Sequence, residues 1–200
     1  MRKRSLLLSI TAAGVAGAAT FGSMTIRHGF SARDNPSRFE GYVAKAARML
    51  SIPASERNAK NPFAPTPEVL SDARSHFADH CATCHGNDGS CKTEIGQNLY
   101  PKPPDMRRPE TQSLTDGQIY YIIHNGIRLT GMPAWGGPGK DDDSWKLVLF
   151  IRHLVEMTPQ EMKEMEQFNP KSSADRSEEA EEQRFLNEGK VPNMNKKMHH

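Results

Sequence analysis

The chain is poor in several things at once. It has only three cysteines in 200 residues, too few and of the wrong parity for a disulfide scaffold. Hydrophobic residues reach 36% and aromatics 7%, a low apolar share even with the 15 glycines added. One oily core filling the whole length is therefore excluded, and a compact domain of about 100 residues with polar flanks fits better. Charge of one sign is also missing: 26 Lys and Arg stand against 24 Asp and Glu, a net +2. That excludes a strongly basic nucleic-acid binder. No internal repeat is present, and no stretch alternates apolar and polar residues with a period of two. Essentially no sheet is expected, and the fold class is all-α. No nucleophile–base pair and no cofactor-binding glycine loop argues for an enzyme.

The charge balance hides a gradient. Residues 1–60 carry ten Lys/Arg and three acids, 65–158 carry nine and twelve, and 161–190 carry five and nine. At the start, residues 1–4 form a basic stub with Arg2, Lys3 and Arg4, and residues 5–26 then run without a charge. About 20 apolar residues cross a bilayer. The positive cluster stays on the cytoplasmic side, so the rest of the chain is exported. The length of the run favours a transmembrane anchor on the periplasmic side of a bacterial inner membrane. The competing reading takes Leu6 to Val15 as a signal-peptide core with cleavage after Ala16-Gly17-Ala18, which leaves a soluble periplasmic protein.

Residues 27–65 read as a linker that contains an amphipathic helix. Asn35 suits the cap and Pro36 the first turn. Phe39, Tyr42, Val43, Ala46, Met49 and Leu50 recur at helical spacing, with Arg38, Lys45 and Arg48 between them. Such a helix either lies on anionic headgroups or packs on the main domain. Pro53 stops it, and Pro53, Pro62 and Pro65 mark an extended spacer over 51–66.

Residues 66–158 hold the centre of the chemistry. Cys81-Ala82-Thr83-Cys84-His85 is a C-x-x-C-H run, the haem c attachment signature. Two thiols two residues apart can add to the two vinyl groups on one porphyrin edge, and the next residue then offers an imidazole to the iron. A thioredoxin-like dithiol would need a βαβ context that the helical flanks do not supply. A zinc site on Cys81, Cys84 and His80 would want a second ligand pair, and none is evident. Thr66-Pro67-Glu68 opens a helix with Val69, Leu70, Ala73, Phe77 and Cys81 at steps of three and four. A second helix starts near Thr115, carries Ile119, Ile122 and Ile123, and stops at Asn125-Gly126. A third starts at Asp142 or Asp143, runs through Trp145, Val148, Leu149 and Leu154, and ends before Thr158-Pro159.

These residues resemble class I cytochrome c over about 66–158. The carriers are Phe77, the Cys-Ala-Thr-Cys-His-Gly run at 81–86, Asn98 to Pro101 with Pro103-Pro104-Asp105, Gly131-Met132-Pro133-Ala134-Trp135, and Trp145 with Phe150-Ile151-Arg152. The resemblance implies three to five helices around one covalent haem c, held by Cys81 and Cys84, with His85 and Met132 as the two iron ligands. Met106 is the rival sulfur. It also implies that Ala73, Phe77 and Phe150 form a helix crossing, and that a carbonyl of Pro101, Pro103 or Pro104 orients the proximal imidazole. A thioether favours Fe(II) and raises the potential. With both axial positions filled there is no open site, so the expectation is a one-electron carrier between periplasmic or membrane redox proteins. A haem sensor with a displaceable Met, or an accessory cytochrome subunit of a respiratory or dehydrogenase complex, remains open.

Three features stand apart from that resemblance. Cys91 sits where glycine is common in the family loop and is a spare thiol: a neutral substitution or, if exposed, a site of dimerisation or oxidation. A positive φ there would cost some stability. His76, His80, His124 and His153 read as surface, haem-edge or helix-end groups rather than ligands. Residues 159–200 read as a short helix followed by a flexible polar tail. A capping box at Thr158 to Glu161 starts the helix, and Met162, Met165 and Phe168 pack it back on the domain. Met194, Met198, His199 and His200 could bind copper or simply be a solvated chain end.

Overall fold

The structure is a computed structural model and describes residues 2–188. Among these residues every regular element is helical, as expected. In chain order they are α1 (Arg2–His28), α2 (Arg38–Ser51), α3 (Ala54–Arg57), α4 (Pro67–His76), a π-helical turn (Phe77–Cys81), α5 (Ala82–His85), α6 (Glu94–Gln97), α7 (Pro109–Gln112), α8 (Asp116–Asn125), α9 (Asp141–His153), α10 (Pro159–Glu166) and α11 (Ser173–Glu188).

Local chemistry accounts for the helix starts. Thr66, Thr115 and Thr158 each cap a helix by accepting from the backbone N–H three residues on. At Thr115 and Thr158 the third residue, Gln118 or Glu161, bonds back and completes the box. Gly126 ends α8 at φ +66°, where a side chain would be strained.

The core forms where α4 and the π-helical turn cross α9. Ala73 provides a flat spot, and the Phe77 and Phe150 rings meet at 5.1 Å between centroids. Val148, Leu147 and Ile151 fill the far side, with Ile119 and Ile123 of α8 against them. Met165 of α10 is fully buried in the same core and holds the tail helix to it, whereas Phe168, expected to pack there too, is 41% exposed. Arg74 clamps α10 through Glu164 at 2.9 Å and Glu161 at 3.5 Å. His153 joins that clamp at 2.8 Å from Glu161 rather than standing free on the surface.

The linker differs from expectation. Its helix begins two residues later than Asn35-Pro36 suggests, because Ser37 and Glu40 form a reciprocal capping box. The spacer is also stitched down rather than simply extended. α3 lies against the start of α8, where a Cβ on Gly117 would run into the Glu56 carbonyl. Thr115 donates to the Arg57 carbonyl, and Ile52 is buried. α11, expected to be loose, is helical and exposed along nearly all of its length. Met194, Met198, His199 and His200 lie outside the described residues.

Candidate functional site

One apolar cavity of about 390 Å³ lies between the π-helical turn, α8, α9, the Pro-rich loop and α2, within the range of small-ligand pockets. The C-x-x-C-H run reaches it because α4, the π-helical turn and α5 form one continuous helical stretch. The wider turn at Phe77–Cys81 is closed by a bond from the Ala82 N–H to the Phe77 carbonyl, and such bulges are frequent at functional sites. Phe77 and Ala78 stay buried while Asp79 and His80 face out. Cys81, Cys84 and His85 all line the cavity.

His85 is 8% exposed. Burial pulls its pKa down to about 4, so the ring is neutral and keeps a lone pair for a metal. Burial, with help from neighbouring Cys84, pushes the Cys81 thiol up to about 12. The orienting contact on the imidazole involves a residue placed elsewhere by sequence reasoning. Cys91 Sγ lies 3.4 Å from His85 Nδ1 and 2.6 Å from the Pro104 carbonyl oxygen. Cys91 is therefore buried at 2% exposure, not open to solvent. Its φ is +62°, the left-handed conformation that the family's glycine suggests. The reason is local: its N–H bonds back to the His85 carbonyl at 2.7 Å, closing the loop on the His85 ring. Arg107 staples that loop to the Pro-rich segment through Asp88 at 3.1 Å and Asp105 at 2.9 Å, and the hydrogen-bonded guanidinium holds the Asp105 carboxyl down to about 2.

Met132 lines the same cavity from the opposite part of the chain. Its loop is strapped to the end of α8. Ile127 donates to the Met132 carbonyl at 3.1 Å, Trp135 to that of Ile123 at 3.1 Å and Gly136 to that of His124 at 2.9 Å. Trp135 then stacks on His80 at 5.2 Å, which places His80 at the cavity rim. Met106 also borders the cavity, but it is buried in the core beside Gly89 and Leu154.

Sequence reasoning missed the contribution of α2. Gly41, Ala44, Lys45 and Arg48 form one wall. Arg48 Nε is buried with no hydrogen-bond partner, and burial lowers the guanidinium pKa. A guanidinium beside the cavity with its Nε buried and unpartnered fits a cofactor that carries carboxylate groups, as haem does. The available signal was the placement of Lys45 and Arg48 opposite the apolar stripe. Among the described residues no three His, Cys, Asp or Glu side chains converge to hold a metal ion, whereas two thiols, a neutral imidazole and a thioether around one apolar cavity suit a covalent haem.

Comparison with known proteins agrees on the central part of the chain. Residues 68–151 match the family model for cytochrome c oxidase, cbb3-type, subunit III. A solved chain of the Kuenenia stuttgartiensis reducing HAO-like protein complex is similar at 21% identity, with a TM-score of 0.43 over 47% of each chain. The chain thus spans about half the length of that structure. No curated protein matches.

Proposed function

We propose, from the premise that residues 68–151 are a class I c-type cytochrome domain, that the chain is a membrane-tethered one-electron carrier with His85 and Met132 on the iron. A domain of this kind binds haem c covalently and serves haem-based electron transfer. The observation that carries the finer reading is the shared cavity lined by Cys81, Cys84, His85 and Met132. Cys81 and Cys84 would hold the porphyrin as thioethers. The group supplies a one-electron Fe(III)/Fe(II) couple when bound. His85 would be the neutral nitrogen donor, oriented by Cys91, and Met132 would be the soft sulfur that favours Fe(II). The isoleucines of α8 and the α9 wall exclude water, and Arg48 faces the carboxylate tails. His85 and Met132, if both held the iron, would leave it no open position for a substrate, which supports a carrier. Its donor and acceptor are redox proteins outside the cytoplasm.

A second reading is favoured by the family whose model matches, since that family is named for an oxidase subunit. On it, the chain is an accessory cytochrome of a larger complex, with α11 as an exposed contact element.

The deciding experiment is a redox titration of the purified holoprotein followed by optical spectra. The oxidised protein is expected to show the near-infrared sulfur-to-iron band. Met132→Ala should lose that band, gain rapid CO binding, and fall in midpoint potential by on the order of 0.1–0.2 V, inside the ≈0.8 V that axial ligands command. A wild-type protein without the band and with fast CO binding is a sensor, not this carrier.

A further inference from the structure

Helix α2 is mounted inside out. At about 100° per residue, Phe39, Val43, Ala46 and Leu50 fall in one stripe about 60° wide. Gly41, Ala44, Lys45 and Arg48 lie on the opposite side and face the cavity. A helix packed on a water-soluble domain turns its apolar stripe inward. Here Phe39 is 78% exposed, Tyr42 73% and Leu50 82%.

The orientation is fixed by polar contacts. Tyr100 donates to the Glu40 carboxylate at 2.5 Å. Lys102 donates to the Asn35 side chain at 2.9 Å and to the Arg33 carbonyl at 3.3 Å. At the far end Arg57 donates to the Met49 and Ile52 carbonyls at 3.2 and 3.1 Å. The helix therefore cannot simply roll over to hide its stripe.

The occupant of the stripe is indicated by what precedes it. Ser9–Arg27 is long and apolar enough to cross a membrane. Only residues 29–37 separate the end of α1 from α2. Within that segment Phe30 is 84% exposed, and Ile26 before it is 70% exposed, so apolar surface continues from the span to the stripe. Arg38, exposed at the start of the helix, supplies a cation of the kind that reaches headgroups.

We infer that the Phe39–Val43–Leu50 face of α2 lies in the lipid interface of the same bilayer that α1 crosses, pressing the cavity's α2 wall against the membrane. This rests on the anchored reading of α1. The haem domain is then not a ball on a string. It is held at one orientation, with α2 as a plate between lipid and cofactor pocket.

The test uses the full-length holoprotein in vesicles of phosphatidylethanolamine and phosphatidylglycerol at 3:1. Nitroxide labels are placed through Val43→Cys and Leu50→Cys, with Ser71→Cys on α4, exposed and polar, as the reference. Cys91 is buried and the other two cysteines carry the haem, so labelling is selective. The expected result is a several-fold rise in collisions with lipid-partitioned oxygen at 43 and 50 relative to 71, and a several-fold fall with a water-soluble nickel chelate. Positions 43 and 50 behaving like 71, or shielded from both reagents by a protein partner, would overturn the inference while leaving the anchor intact. Failure of the protein to float with the vesicles overturns the anchor itself.

Discussion

Cys91 shows how much one side chain can depend on contacts that its neighbours in sequence do not reveal. Its likeness to a family glycine foretold the left-handed backbone, and φ is +62°. Nothing local foretold that its sulfur would fit between the His85 ring and the Pro104 carbonyl, because that neighbourhood is closed by a loop 13 residues further on. The chemical consequence can be measured. Burial, reinforced by the Asp105 and Asp88 carboxylates, pushes the thiol up to about 12. At pH 8 its thiolate fraction is then on the order of 10⁻⁴, and the thiolate is the species that reacts. Iodoacetamide should leave Cys91 unmodified for hours in the native holoprotein at pH 7 to 8, and should label it at once in denaturant. Stoichiometric native labelling within minutes, read by peptide mass spectrometry, would refute the buried placement. Met132 and Arg48 show the two extremes of legibility. Met132 was marked by a rigid Gly-Met-Pro loop and does reach the cavity. Arg48 reads as one more surface cation until α2 is seen to turn its charged side inward.

At the scale of elements, the sequence was most legible where a helix carries its own start signal. The three threonine caps are visible as four-residue patterns, and each cap forms where the pattern says. The one-turn helices α3, α6 and α7 and the π-helical turn were not legible. Four or five residues hold too little periodicity, and such turns are set by what packs on them. The loop between α7 and α8 illustrates this. Its shape depends on Arg152 of α9, whose guanidinium donates to the Gln112 and Leu114 carbonyls and to the Asp116 carboxylate. A lysine cannot reproduce that planar fork and leaves partly buried carbonyls without a donor. Arg152→Lys should lower unfolding free energy by about 1–3 kcal/mol, measured by denaturant melts at the haem absorbance. The native haem spectrum should not change, because Arg152 does not border the cavity. An unchanged melting midpoint would show that the fork contributes nothing.

At the scale of the whole molecule, the unresolved choice in the sequence was between an anchor and a cleaved signal peptide. The first 26 residues satisfy both patterns, and hydropathy alone does not separate them. The structure adds a physical argument. α1 runs unbroken from Arg2 to His28 and passes through Ala16-Gly17-Ala18. Its span Ser9–Arg27 buries nothing against the rest of the molecule, and Val15, Phe21 and Met24 are all more than 60% exposed. A water-soluble protein would hide such a surface, whereas a bilayer covers it. Cleavage after Ala18 would remove only the first part of this surface. It would leave Phe21, Met24, Ile26 and Phe30 exposed next to the outward stripe of α2, a continuous apolar patch on a supposedly soluble protein. The anchored reading proposed above places all of this apolar surface against lipid. Intact mass spectrometry of the holoprotein should therefore find residues 5–18 still attached, and alkaline carbonate should fail to release the protein from membranes. A mass that begins at Ala19, with the haem protein in the soluble fraction, would assign the segment to a signal peptide and remove the basis for a membrane-held haem domain.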